Sequence, residues 1–480
     1  MTTNNAPATP QEEKVDLPLK VKIGYMIYPL FNSMSNIMAL SFLVFFVTDT
    51  IGLSPVTMAT VYTVARFADL GVQMFAPSIV NNLTRVRPLL IIIPLISQTG
   101  TVLSFLNPPL PYNAKLVFLI ISYCCIHFPM NFSTVVINTV MMKVTRGNMA
   151  NRLWIPATAQ RIGAIWRIIS PYLQMPLILW FVGRGLPGYF IVACIFACTT
   201  MVAHLTLFII SAPYEESKEE AAAALAARKA AAASAPKGPS IIQQYAMAAK
   251  NAPAMALLIA GIVTGITGQV FSGGAQYYWR YSVGDSAFQA RAGSISAMIA
   301  VPLTFIGPII GRKLGMKKSI MINSAWTAVC YILYYLFADG NPWGYVAITC
   351  ASSLTTYLAM IWTTQTWLDA AEVQLYKTGV DIRSFVMGLT NYSTKIGFIA
   401  QGPLLAWMLT SVGYVAGESI ANTSLFMLIW MGLPFIGQTF YFIMFTAFYR
   451  IKPEEAAEAR AANQKAAEER MAAARAAAGE

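Results

Sequence analysis

Apolar residues in this chain come in long runs rather than in the alternation of a half-buried strand. About twelve of these runs are each long enough to cross a bilayer core of about 30 Å as a helix. They fall at 23–48, 55–80, 88–106, 113–142, 153–182, 187–211, 253–282, 286–311, 319–337, 342–366, 383–411 and 422–449. Lipid offers no partners to backbone N–H and C=O groups, so runs of this kind must be helical. The pattern predicts an all-α membrane protein with twelve transmembrane helices in two six-helix bundles. The expected organisation is a polar segment 1–22, a first bundle 23–211, a central loop 212–252, a second bundle 253–449 and a tail 450–480.

Several positions modulate that picture. Pro29, Pro129, Pro171 and the run Ser272-Gly273-Gly274 predict helix breaks of the kind tolerated where a helix lines a cavity. The Gly261/Gly265 spacing predicts close helix contacts within the monomer. Both Glu219 to Ala233 and Glu454 to Glu480 are nearly all Ala with Lys, Arg and Glu. With high helix propensity but few large apolar residues, they read as solvated helices or disordered linkers. Val47-Thr48-Asp49 closes the first run and Val283-Gly284-Asp285 the seventh, which suggests that the halves are a parallel repeat.

Composition narrows the function classes. The chain is 56% hydrophobic and 11% charged, with a mean hydropathy of +0.56. A soluble protein carries about 25% charged residues, so this chain cannot cover a water-facing surface. The net charge of +12 does not point to nucleic acid, because the basic residues sit in short loops and not on one face. Arg85 and Arg87, then Lys143, Arg146 and Arg152, then Arg312 to Lys318, then Lys377 and Arg383 alternate with loops carrying few, with Lys115, Arg184 and Arg291 as isolated exceptions near run ends. By the positive-inside rule the basic loops, both termini and the central loop are cytoplasmic, in a cell (inner) membrane. The first 20 residues lack an apolar core, so the first run is expected to act as its own insertion signal. The six cysteines all lie inside apolar runs, without metal-ligand spacing, and read as small apolar residues. Neither a metal nor a cofactor is expected.

Ionisable groups at membrane depth cost about 2.5–3.5 kcal/mol each on insertion scales, so those present mark pathways or pairs. Arg66, Asp69 and Gln73 share a face of the second run. Cys124, His127, Asn131 and Thr134 share one on the fourth. The fifth run carries Arg161 and Arg167, and the eleventh carries Asn391, Thr394 and Lys395. Asp369 and Glu372, at the end of the tenth run near Lys377 and Arg383, predict a gating or ion-pair network, to which Arg66 is also assigned. His127 and His204 have no acid nearby in sequence, so a membrane enzyme is not expected, and His204 reads as a packing residue.

Three segments give the chain a resemblance. They are Phe46-Val47-Thr48-Asp49-Thr50-Ile51-Gly52-Leu53-Ser54 leading to Ala65-Arg66-Phe67-Ala68-Asp69, then Asp369-Ala370-Ala371-Glu372-Val373-Gln374-Leu375-Tyr376-Lys377, then Thr394-Lys395-Ile396-Gly397 before Val412-Gly413-Tyr414. Through them the chain resembles the glycoside–pentoside–hexuronide:cation symporter family of the major facilitator superfamily, over most of residues 20–450. The resemblance implies a major-facilitator fold and a secondary transporter, with Asp69 and Lys395 at the cation site. Where the family has a second acid this chain has Gln73. Val72 and Cys124 stand at two further ligand positions. Sodium wants several oxygen ligands, so the implied coupling ion is a proton rather than Na⁺. The family's sugar-site acids fall at Ser33 and His127, its tryptophan at Asn131, and its arginine is kept as Arg161. With Asn391, Thr394 and Lys395 these form the expected substrate site, and its basic lean favours an anionic, hexuronide-like solute.

The expected function is proton-coupled symport of a sugar, glycoside or related organic solute by alternating access. The alternatives are an uncoupled uniporter, a lysolipid or organic-anion transporter of the same fold, or a non-transporting membrane sensor or scaffold. Expected partners are a small solute and the lipid bilayer, with the chain acting as a monomer.

Overall fold

A computed structural model describes residues 15–32, 34–81, 83–145, 149–215, 217, 219–223, 226 and 240–478. Residues 1–14, Ser33, Arg146 and most of the segment 219–233 lie outside the described residues, as does the side chain of Arg167. Every apolar run is helical among the described residues. The helices are α1 Leu19–Asn32, α2 Met34–Phe45, α3 Pro55–Asn81, α4 Leu89–Ser104, α5 Tyr112–Thr145, α6 Met149–Val182 and α7 Gly188–Ile210, then α8 Ile241–Ala249, α9 Ala252–Tyr277, α10 Phe288–Leu314, α11 Met316–Phe337, α12 Pro342–Thr378, α13 Arg383–Gly388, α14 Thr390–Ser411, α15 Thr423–Phe448 and α16 Pro453–Ala478. Among the described residues, six spans are long and apolar enough to cross a membrane by length and composition, namely α5, α7, α9 with its π-helical extension, α11, α12 and α15.

The chain divides into two compact units. One comprises Met1–Ala39, Gly71–Arg167 and Gly185–Ser234; the other Leu40–Leu70, Ile168–Arg184 and Ala235–Glu480. In the first, α4 packs on α5 and on α7, and α1 packs on α7. Its core includes Tyr25, Leu90, Ile93, Val136, Val140 and Leu207. Gly100 brings α4 against the backbone of Ser122 and Ile126, where an added Cβ would stand 2.7 Å from both. His204 is buried as expected, bonded to Asn32 at 2.9 Å and edge-on to Tyr28.

In the second unit α9 is central, packed on α14 and α15. The expected break at Ser272-Gly273-Gly274 is absent, because α9 runs on to Tyr277. Those glycines serve close packing instead. A Cβ on Gly274 would lie 2.4 Å from the indole nitrogen of Trp430, which donates to the Phe271 carbonyl at 2.9 Å. The expected Gly261/Gly265 contact is present within the chain: both face Ser393 of α14, and a Cβ on Gly265 would lie 2.4 Å from the Ser393 carbonyl oxygen.

The structure also shifts the register of the internal repeat. The first run closes in a π-helical turn, Phe46–Thr50, and the seventh in another, Tyr278–Ser282. Each ends on an i→i+5 bond, Ile51 N–H to Phe46 C=O and Val283 N–H to Tyr278 C=O, both 3.0 Å. Each is followed by a left-handed glycine, Gly52 at φ 78° and Gly284 at φ 77°. Asp49 therefore corresponds to Tyr281, each the fourth residue of its turn, and not to Asp285. The apolar letters near the two turns align either way, so only the backbone conformation fixes the match.

The tail departs from its expectation. Instead of a solvated helix or linker, α16 packs along α12, with Ala456 and Ala459 buried beside Ala370, Val373 and Trp367. Small side chains let the two helix axes approach, and alanine loses no rotamer freedom on docking. The central loop also contains an unforeseen helix, α8, opened by a capping box between Ser240 and Gln243.

Candidate functional site

Helices α3 and α14 run antiparallel, and their contact can be read in steps. Gly402 lies against Ala59 and Tyr62, where a Cβ would stand 3.2–3.3 Å from its neighbours. One turn along, the Arg66 guanidinium lies 4.1 Å from the centre of the Phe398 ring. A further turn along, Lys395 Nζ donates to Asp69 Oδ2 at 2.6 Å. Asp69 is fully buried and Arg66 is 3% exposed. Arg66 Nη1 lies 3.8 Å from the same carboxylate oxygen, as its place one turn before Asp69 allows. One carboxylate thus serves two cations, the nearer delivered by a helix 326 residues away in the chain.

Close glycine contacts set the position of Lys395. Across the α9–α14 crossing, a Cβ on Gly397 would stand 2.6 Å from the Gly265 carbonyl. Removing one partner of a buried pair leaves an uncompensated charge, which costs about 3–5 kcal/mol.

A second carboxylate in the same unit is held differently. Asp49 accepts a hydrogen bond from Tyr281 Oη, one from the Gly417 N–H at 3.2 Å, and a long contact from Tyr414 Oη at 3.5 Å. Next to it, Thr48 and Tyr277 share a 2.7 Å hydroxyl bond. Gly417 closes a two-residue hairpin, Tyr414–Val415 against Ser419–Ile420, at φ 74°.

A third polar group surrounds the end of α12. Glu372 accepts from Arg383 at 2.9 Å and from Asn463 of the tail at 2.6 Å. Arg383 also pairs with Asp381 at 2.7 Å. Asp369 accepts from Gln365 at 2.6 Å and lies 3.9 Å from Arg460. Lys377 bonds Glu455 at 2.6 Å.

The expected residues fall into these groups unevenly. Asp69 and Lys395 come together directly. Glu372 and Arg383 pair, whereas Lys377 turns to the tail helix. Arg66 stands at Asp69, with which it shares a face of α3. Gln73, half-buried, lies one turn beyond Asp69 in the portion of α3 that belongs to the other unit. In that unit His127 is buried against the Tyr123 ring at 4.4 Å, Asn131 Nδ2 donates to the His127 carbonyl at 3.4 Å, and Arg161 is exposed. Asn391 and Thr394, exposed, flank Lys395 on α14. Ser33 lies outside the described residues. Sequence reading missed Phe398, Tyr277, Tyr281, Arg460 and Asn463. A signal existed for Phe398 alone, one turn after Lys395 as Arg66 is one turn before Asp69.

Among the described residues the chain is helical apart from one short hairpin, and its apolar spans with a few buried charges joined across distant helices define the class of a multi-pass membrane protein. The match to the family model described as MFS/sugar transport protein spans residues 24–455, and the chain belongs to that family. It is 20% identical over 462 residues to an isoprimeverose transporter of Lactiplantibacillus pentosus, covering 92% of this chain and 91% of that protein. It is 21% identical to a putative 2,3-dihydroxypropane-1-sulfonate exporter of Escherichia coli (strain K12), covering 88% of each. Among solved structures, the nucleoside transporter NupG matches with a TM-score of 0.61 at 15% identity, covering 90% of this chain and 99% of that one. The fold is that of the major facilitators, the protein is a transporter and not an enzyme, and the resemblance to the glycoside symporters read from the motifs agrees with the family.

Proposed function

We propose that this protein is a proton-coupled secondary transporter of a small polyhydroxylated solute bearing an anionic group, such as a hexuronide, with Asp69 as the proton carrier. The observation that carries the reading is the buried Asp69 carboxylate held at 2.6 Å by Lys395. A sodium ion at that oxygen would have to displace an ammonium group already seated there. A proton asks only for the carboxylate itself.

The charge arithmetic links proton to solute. Protonating Asp69 alone would remove the negative charge it presents to Lys395 and Arg66, which is costly in a buried site. A solute carboxylate or sulfonate arriving at Lys395 supplies a replacement anion, and Asp69 is then free to take the proton. Anion and proton bind together because each removes the other's penalty. Asn391 and Thr394, beside Lys395 on α14, supply further donors for the solute in this reading. That one relative is named for a sulfonate and another for a sugar is consistent with a hydroxylated anion. The reading places the protein in the inner membrane with both termini cytoplasmic, as the Lys and Arg distribution argues, and working as a monomer.

The test is proton movement in reconstituted vesicles, comparing the parent with Asp69→Asn over a panel of neutral and anionic glycosides. External alkalinisation driven by anionic glycosides, lost in Asp69→Asn, is the expected result. Solute flux without proton movement, unchanged in the variant, would make the protein a uniporter. Competition by neutral glycosides alone would remove the anionic part of the proposal.

A further inference from the structure

Apart from the Asp69 cluster, the second unit has a cavity of about 360 Å³ where several helix ends meet. It is bounded by the end of α8, the start of α9 at Ala252, the end of α12 at Thr378, the end of α15 at Phe448 and the start of α16. Three spans that begin or end together mark the level at which the chain leaves the hydrocarbon. The lining divides by chemistry. Met247, Pro253, Val373, Phe448 and Ile451 form an apolar wall. Lys250, Lys377 and Arg450 stand against a single acid, Glu455.

The neutral polar groups of the wall are already used. Asn251 Nδ2 donates to the Ala370 carbonyl at 2.9 Å and to Gln374 Oε1 at 2.8 Å, while its Oδ1 caps α9 through Ala254 N–H at 3.1 Å. Gln374 Nε2 donates to the Met247 carbonyl at 3.1 Å. What remains for a ligand is the cations. Lys250 and Arg450 are exposed. Among the described residues Arg450 uses its Nε alone, on the Ala447 carbonyl at 3.0 Å, which leaves both terminal nitrogens of its planar fork for a phosphate. Lys377 is held toward the cavity by its 2.6 Å bond to Glu455.

We infer that this cavity binds the headgroup of an anionic phospholipid, with Arg450, Lys250 and Lys377 on the phosphate and the first acyl carbons along Phe448 and Ile451. The charge selects an anion, since three cations face one carboxylate. The apolar wall and the position at the helix ends select a lipid over a free ion, because a free phosphate gains nothing from Phe448, Val373 or Met247. Basic pockets between transmembrane helices at the membrane boundary are a recurring form of headgroup site.

The experiment uses the full chain, purified from vesicles of equal parts phosphatidylglycerol and phosphatidylcholine, with retained lipid counted by native mass spectrometry. The parent is expected to retain phosphatidylglycerol about tenfold over phosphatidylcholine. Lys250→Gln with Arg450→Gln is expected to bring the ratio close to one, while Lys317→Gln with Lys318→Gln, in the first turn of α11, leaves it unchanged. Equal retention of the two lipids by the parent overturns the inference. So does an equal loss in the control pair, which would report net charge rather than a site. Millimolar inorganic phosphate is the third arm: displacement of phosphatidylglycerol by phosphate alone would make this a free-anion site and overturn the lipid assignment. Thermal unfolding of each variant shows that a lost ratio is not lost folding.

Discussion

Asp69 and Asp49 sit in the same unit, and each ties the first segment of the chain to its last third. Asp69 does so through charge, with Lys395 at 2.6 Å and Arg66 at 3.8 Å around a fully buried carboxylate. Asp49 does so through neutral donors, two tyrosine hydroxyls and the Gly417 N–H. Removing the charge of Asp49 leaves all three donors an oxygen to bind. Removing that of Asp69 leaves two cations facing one another. The first arrangement suits a movable pair and the second a permanent tie. Position in the sequence gives no hint of this, because both acids lie in the same one of the segments that carry the resemblance.

The contrast predicts unequal responses to the same chemical change. Asp69→Ala should lower stability by about 3–5 kcal/mol, read from the unfolding midpoint of the purified protein, because it strands a buried charge. Adding Lys395→Met to Asp69→Ala should recover part of that loss, and a simple sum of the two single effects would show that the pair is not coupled. Gly397→Ala is next, at about 1–3 kcal/mol for overpacking against rigid backbone. It should also weaken proton-linked transport by displacing Lys395. Tyr281→Phe, which removes one donor from Asp49, should cost about 0.5–1.5 kcal/mol, and Asp49→Asn less than that. An Asp49→Asn effect as large as that of Asp69→Ala would erase the distinction.

The smallest effect lies at the tail. Lys377→Gln should cost about 0–1 kcal/mol, since Lys377 is 62% and Glu455 33% exposed. The Lys377 ammonium, by its hydrogen bond, holds the Glu455 carboxyl below its usual value of 4.5. A depressed carboxyl contributes stability in full above its unfolded pKa and loses it as pH falls through the folded one. Tail contacts should therefore be unchanged from neutral pH down to about 4.5 and loosen only below it. Hydrogen exchange along α16 checks this, and loosening already at pH 6 would assign the contact to another group.

Much of this was legible in the chain. Apolar runs give helices directly, because lipid leaves the backbone no other option. Charges at membrane depth stand out, so Asp69 and Lys395 were visible as functional candidates. The resemblance put the two at one site, but their direct contact depends on the antiparallel register of α3 and α14, where Gly402 lies against Ala59 and Tyr62. Glycine runs read equally as breaks or as close packing, and Ser272-Gly273-Gly274 proved to be the second. Alanine carries no burial signal, so the docking of α16 through Ala456 and Ala459 was hidden. The repeat register was hidden too, since it rests on two π-helical turns whose sequences, Phe-Val-Thr-Asp-Thr and Tyr-Trp-Arg-Tyr-Ser, share little.

The crossing of α9 and α14 has a consequence for how this sequence can change over time. A methyl group on Gly397 would meet the Gly265 backbone, and one on Gly265 would meet the backbone of Ser393. Neither can drift to alanine first, and because the obstruction is backbone, no neighbouring side chain can shrink to make room. The seam is closed to stepwise replacement from either side. Mutational variation around Lys395 must therefore enter through residues that line the solute path, leaving its carrier helix in place while specificity is free to diverge.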